Sequence, residues 1–271
     1  MSKAAAKLTE SEEYLQRKMR KTEENLKSPS KKLIINTSAI DENGKSIKQH
    51  VGTFHIVGTD LYSETIRFRP LSALNKLIKM TKGKTKEGTD TWNYVNQTIL
   101  FSNYGEVIYD AKGGTACGKV FGDARKALSP AQAEANNEKA KSFMYLFGLA
   151  QFPGEKEWHF VDLRVGGKRI MVISDAISNK NIGKTHFMSQ FIYDMTCIAQ
   201  AATIHPNLEM RLDQKAGIQD IASIIDYDNQ ISNYVEEHNS RIMATFKKYS
   251  TQAGAIVEDE EEINIDIGDD E

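Results

Sequence analysis

Residues 142 to 177 read SFMYLFGLAQFPGEKEWHFVDLRVGGKRIMVISDAI, and their pattern decides the expected fold. Val161, Leu163 and Val165 alternate with Phe160, Asp162 and Arg164, the period-two signal of a half-buried strand. Gly166-Gly167 offers two residues that accept positive φ, as a two-residue primed turn between antiparallel strands requires. The expectation is a hairpin setting Val165 opposite Lys168, Arg164 opposite Arg169, Leu163 opposite Ile170 and Val161 opposite Val172. One face of it, Val161, Leu163, Ile170 and Val172, is apolar and should meet the core. The other carries Trp158, Phe160, Arg164, Arg169 and Met171.

Like charges directly across a strand pair repel, so Arg164 opposite Arg169 needs a reason. Both guanidiniums could splay into water or be screened by Asp162. Alternatively a polyanion lies across this face, with phosphates between the arginines and bases stacked on Trp158 and Phe160. Aromatics flanked by cations on a sheet are what sequence-tolerant binding of unpaired nucleic acid uses.

The chain has 271 residues, 40% of them hydrophobic, enough to bury a sizeable core as one domain with appendages. No run approaches the length of a membrane-spanning helix, and MSKAAAKLTESEEY has no apolar signal-peptide centre. Cys117 and Cys197 make neither a disulfide framework nor a CxxC pair. An intracellular, soluble, cytoplasmic protein is expected. The net charge of −2 conceals an asymmetry, because EDEEEINIDIGDDE at 258 to 271 holds nine carboxylate side chains. With those nine set aside, residues 1 to 257 carry +7, a moderately basic body with an acidic extension.

Four segments follow from composition and pattern. Residues 1 to 32 are polar and rich in Lys, Glu and Ala, predicting a helical or disordered arm that ends at Ser28-Pro29-Ser30. Residues 33 to 215 should form a β-rich core, 216 to 252 an amphipathic helical region, and 253 to 271 a disordered acidic tail. Within the core, strands are expected in LIINTSAI, VGTFHIVG and SETIRFRP, the first two joined by a turn at Asp41-Glu42-Asn43-Gly44. Arg67 and Arg69 form the cationic face of the third. Residues 71 to 80, LSALNKLIKM, switch to helical spacing through Leu71, Leu74, Leu77 and Ile78. Residues 124 to 141 are small and polar, a loop or short exposed helix. KTHFMSQFIYDMTCIAQAAT, 184 to 203, predicts a helix through Phe187, Phe191, Met195 and Ile198. Residues 218 to 249 predict a second amphipathic helix or a pair.

A lysine-rich loop, Lys82, Lys84 and Lys86, precedes TWNYVNQTILFSNYGEVIYD, which reads as strands bearing Trp92, Tyr94 and Tyr104. Lysine runs are commonly solvated surface. Next to aromatic strands, this one offers backbone tracking beside base stacking, each stack being worth roughly 1–3 kcal/mol. Some of these rings must be core.

Catalytic motifs are weak. Gly113-Gly114-Thr115-Ala116-Cys117-Gly118-Lys119-Val120 nearly matches the phosphate-binding GxxxxGK[ST] loop, but Val120 has no hydroxyl for Mg²⁺. A glycine-rich turn placing Lys112 and Lys119 on a binding side fits better. The six histidines do not pair at zinc-ligand spacing. Cys197 near Asp194 and His186 reads as a buried thiol. No enzyme activity, metal or cofactor is expected.

The basic, ring-bearing body together with EDEEEINIDIGDDE resembles the bacteriophage single-stranded DNA-binding proteins of replication. That resemblance implies an OB-fold-like antiparallel β-barrel core in an α+β chain, with C-terminal helices and a disordered tail. It implies cooperative, non-catalytic coating of single-stranded DNA in replication, recombination and repair, in a host cytoplasm, with homodimers or oligomers. The tail, Glu258, Asp259, Glu260, Glu261, Glu262, Asp266, Asp269, Asp270 and Glu271, would recruit replication proteins such as polymerase or helicase and primase. Several relatives end in an aromatic residue, whereas this chain ends Asp270-Glu271. Expected phosphate contacts are Arg67, Arg69, Lys82, Lys84, Lys86, Lys112, Lys119, Arg164, Lys168 and Arg169. Expected stacking rings are Trp92, Tyr94, Tyr104, Trp158 and Phe160. Two other classes stay open: a phage structural or scaffolding protein, and a nucleotide-binding enzyme built on the Gly113 to Lys119 loop.

Overall fold

In the computed structural model, nine strands among the described residues join in one mixed sheet: β1 (Lys31–Ile35), β2 (Phe54–Ile56), β3 (Tyr62–Ser63), β4 (Thr65–Lys84), β5 (Asp90–Gln97), β6 (Lys141–Gln151), β7 (His159–Gly166), β8 (Phe191–Gln200) and β9 (Thr203–Lys215). Helices are α1 (Gly122–Lys126), α2 (Pro130–Lys139), α3 (Lys168–Ile177) and α4 (Ile221–Ala253). The structure describes residues 28–37, 50–84, 90–102, 104, 107–111, 115–178, 188–200, 203–215 and 221–253. At 81–84, 90–95, 199–200, 203–206, 214–215, 221–223 and 245–253 it describes the backbone alone. Residues 1 to 27 of the expected 1 to 32 arm, the 41 to 44 turn and residues 254 to 271 of the acidic tail lie outside the described residues, while Lys31 and Lys32, expected to end the arm, belong to β1. Pro29–Val257 forms one compact unit, and Met1–Ser28 with Glu258–Glu271 is divided from it.

The strand order is β3-β2-β1-β7-β6-β4-β8-β9, with β5 also on β4, and the sheet curls strongly into a half-barrel. The α+β class is therefore as expected. Leu146 faces Leu163 across β6 and β7, and Leu163 faces Leu33 across the parallel pair of β7 with β1. These side chains, with Phe54, Phe68, Tyr193 and Met195, fill one face of the sheet.

The hairpin expected at Gly166-Gly167 does not form. After Gly167, at φ +61, the chain enters α3 rather than a return strand. Both edges of β7 are occupied, by β6 on one side and β1 on the other, so no edge remains for residues 168 to 173. Ile173 is buried, with Ile170, Ala176 and Ile177 packed beside it, while Met171 is exposed. That three-to-four spacing is helical. Arg164 and Arg169 are consequently not cross-strand neighbours.

Two expected helices are strands. Residues 71 to 80 lie inside β4, which pairs with β6 along one edge and with β8 and β5 along the other. A strand covered on both faces loses its clean alternation, so the leucine spacing mimicked a helix. Pro70, which has no N–H for the ladder, sits where the register shifts between Pro70 and Ser72. Residues 191 to 200, expected within a helix, form β8, held between β4 and β9. Expectation and structure agree at α1 and α2, which are short and mostly exposed, and at α4.

The α4 helix covers the opposite face of the sheet. Ile231 is buried among Leu71 and Phe147, with Tyr145, Leu149, Phe160, Tyr227 and Tyr234 around them. Asn239 fixes the helix further along: its Oδ1 accepts from the Leu100 N–H at 2.7 Å, and its Nδ2 donates to the Leu100 carbonyl at 2.9 Å. Among the described residues no helix is long and apolar enough to cross a membrane.

Candidate nucleic-acid interface

A basic pocket of about 710 Å³ lies between the α1–α2 insertion and the ends of β6 and β7. Lys119, Arg125 and Lys141 line it, together with the rings of Tyr104, Phe121 and Phe143. Among the described residues, no Asp or Glu lines it. Local contacts hold its walls. Asn136, buried on α2, accepts from the Val120 N–H at 2.6 Å and donates to the Val120 carbonyl at 3.2 Å. Ser129 caps α2 in a reciprocal box with Gln132, with Pro130 at the first turn. Tyr104 meets Phe101 edge-on at 4.9 Å and Phe121 tilted at 4.9 Å. Lys119 donates from Nζ to the Ala140 carbonyl. Burial, then the nearby Arg125 charge, lowers the Lys119 pKa. Two of its three ammonium donors remain for a ligand.

A strained turn delivers Lys119 to this place. Ala116 and Cys117 sit at φ +54 and +53, where an L-residue costs about 1–2 kcal/mol each. Buried Asp110 offsets that strain by accepting from the Cys117 N–H at 2.8 Å, and the Ala116 N–H donates to the Ile108 carbonyl at 2.8 Å. An isolated bridge joins Tyr109 to Thr115, and Lys112, Gly113 and Gly114 of the expected glycine-rich turn lie outside the described residues. After Lys119 the next described helix is the five-residue α1, and the Lys119 ammonium is held by the Ala140 carbonyl; Gly113 and Gly114 of the nucleotide-loop match lie outside the described residues. Burial, then the Asp110 charge, pushes the Cys117 thiol up to about 12; it is no nucleophile. Asp110→Ala is expected to lose about 1–3 kcal/mol by orphaning that buried N–H, read as a lower urea midpoint, and to weaken any ligand of Lys119.

The chain matches no known protein family, curated protein or solved structure. The other expected contacts are scattered. Arg67 and Trp158 do come together, the guanidinium lying 5.8 Å from the ring centroid. Arg67 also donates to Gln151 at 3.2 Å and pairs with Asp213 at 3.0 Å. Arg69 shares that face, but its Nε donates to the Ser189 carbonyl at 2.6 Å. Phe160 is corrected from exposed platform to helix contact: its ring is 4.5 Å from that of Tyr227 on α4. Arg164 is half-buried over Phe143 at 4.5 Å and near Tyr145 at 5.8 Å, between sheet and helix. Lys168 is exposed at the start of α3, and Arg169 is half-buried, its pKa lowered by burial. Lys82, Lys84, Trp92 and Tyr94 lie on paired backbone of β4 and β5, facing one another as Lys82 with Trp92 and Met80 with Tyr94. Their side chains, like Lys86 and Lys112, lie outside the described residues.

Of the expected contacts, the pocket gathers Lys119 and Tyr104. The sequence reading missed Phe121, Arg125, Lys141 and Phe143. KVFGDAR, 119 to 125, does carry a cation-ring-cation signal, but Lys141 and Phe143 join it only through the fold.

Proposed function

We propose that this protein binds single-stranded DNA without catalysis, coating and protecting it in phage replication, recombination and repair in the host cytoplasm. The observation that carries the reading is the pocket whose described lining brings together three cations and three aromatic rings. Cations neutralise phosphates, while ring faces accept any base, so the combination favours unpaired polynucleotide over duplex. The basic body, +7 outside the tail, adds long-range attraction. The curled half-barrel is read as an OB-like platform, with the pocket at the Lys141 end of β6 and Arg67 with Trp158 at its Gln151 end. Partner recruitment falls to the acidic residues 258 to 271, which suit a basic groove on replication proteins.

A fluorescent dT oligomer, titrated beside a duplex of equal length at two salt concentrations, tests this. The oligomer is expected to bind more tightly than the duplex. Its log affinity should fall with log salt at a slope of about −0.7 for each phosphate neutralised. Failure to bind dT even in dilute buffer overturns the proposal.

A further inference from the structure

We infer that the pocket is a seat for one nucleotide unit, with its phosphates toward Lys119, Arg125 and Lys141 and its base against Phe121 and Tyr104. This rests on reading the pocket as the nucleic-acid site. Size separates a seat from a track. A strand-tracking surface holds about 4–16 nucleotides per barrel. A cavity of about 710 Å³ falls instead in the range of discrete small-ligand sites, about 300–1,000 Å³. It accommodates a small part of such a run, so the rest of a strand must leave it.

Contacts within the protein also brace the walls. Asn136 clamps both backbone atoms of Val120, Ala140 holds the Lys119 ammonium, and Phe101 and Phe121 flank Tyr104. The Ala116–Cys117 strain, retained beside Lys119, is the kind of feature that clusters at ligand clamps. Preorganised rings and cations lower the entropy cost of holding one ligand in one pose. Arg125 donates at 3.3 Å to Asn137, which also lines the pocket, so its planar fork is held at the rim for bidentate phosphate contact. Free nucleotides bearing phosphate should therefore bind here and compete with the strand.

The probe is thymidine 3′,5′-bisphosphate, titrated calorimetrically into the full chain and used to displace a fluorescent dT oligomer. One bisphosphate per chain is expected, with displacement of the oligomer. Arg125→Ala, at an exposed position, should weaken bisphosphate binding at least tenfold while thermal unfolding stays unchanged. Phe121→Leu should weaken it comparably, keeping an apolar wall while removing the ring. If dT oligomers bind but the bisphosphate neither binds nor competes, the seat is refuted and the strand-binding reading stands. The same holds if Arg125→Ala and Phe121→Leu leave bisphosphate affinity unaltered. If the bisphosphate binds and oligomers do not, the seat stands as a nucleotide site and the strand-binding reading falls. If neither binds, both fall.

Discussion

Gly148→Ala is expected to be the most damaging single-methyl change in the sheet. Gly148 lies mid-strand in β6, opposite Val161 of β7 and Pro70 of β4. A Cβ there would stand 2.5 Å from Phe68 Cζ and 2.6 Å from the Arg69 carbonyl oxygen. Phe68 is fully buried and cannot swing aside, and the carbonyl belongs to the paired backbone. Overpacking of this kind costs typically about 1–3 kcal/mol, occasionally more. Gly154→Ala is the control: nothing lies within 4 Å of its added methyl, and only its φ of +85 is strained. Urea unfolding should show a clearly lower midpoint for Gly148→Ala than for Gly154→Ala. Equal midpoints would mean β6 and β4 do not approach as described.

Lys76→Met is expected to stabilise the protein at neutral pH and to flatten its pH dependence. Lys76 is buried on β4 beneath α4, its Nζ 3.1 Å from His238 Nε2. Burial, followed by the Arg164 charge, lowers its pKa from 10.5 to about 7. His238 is lowered to about 3 by burial, then by Lys76 and Arg241. Both are bases held below their free values, so the unfolded chain binds more protons across each window. Stability therefore rises with pH from about 7 to 10.5 through Lys76, and from about 3 to 6.5 through His238. Each pH unit within a window is worth up to about 1.4 kcal/mol per group. A methionine of similar length keeps the packing, has no proton to bind, and removes the cost of burying a cation that lacks a counter-charge among the described residues and lies near Arg164. Denaturation of both forms at about pH 7 and about pH 9 checks this, since the advantage of the variant should shrink at the higher pH. A variant less stable at neutrality, or with an undiminished advantage near pH 9, would show that the lysine is not held as a buried base.

Parts of the candidate site were legible because their signal is local. Alternation at Ile66-Arg67-Phe68-Arg69 placed both arginines on one face, and Arg67 does meet Trp158 there. Lys119, picked out at the end of the glycine-rich run, lines the pocket. Arg125, Lys141 and Phe143 were not legible as partners of Tyr104, since Asn136 must first clamp Val120 against α2 to fold that insertion over the β6 end. Phe160 and Trp158 look alike in sequence. Only the path of α4 covers Phe160, through Tyr227.

By itself, the sequence determined the charge division between body and tail, the strand through Val161, Leu163 and Val165, and an amphipathic helical region near the end of the body. Each is set by side chains within a few turns or residues of one another. The tertiary structure alone decided that 168 to 177 is a helix and that 71 to 80 and 191 to 200 are strands. The physical reason is hydrogen bonding at strand edges. With β1 and β6 already on β7, the chain after Gly167 has no edge to join and must satisfy its N–H and C=O groups within itself. Along β4 and β8, neighbouring strands supply those bonds, overriding an apolar spacing that fits a helix equally well.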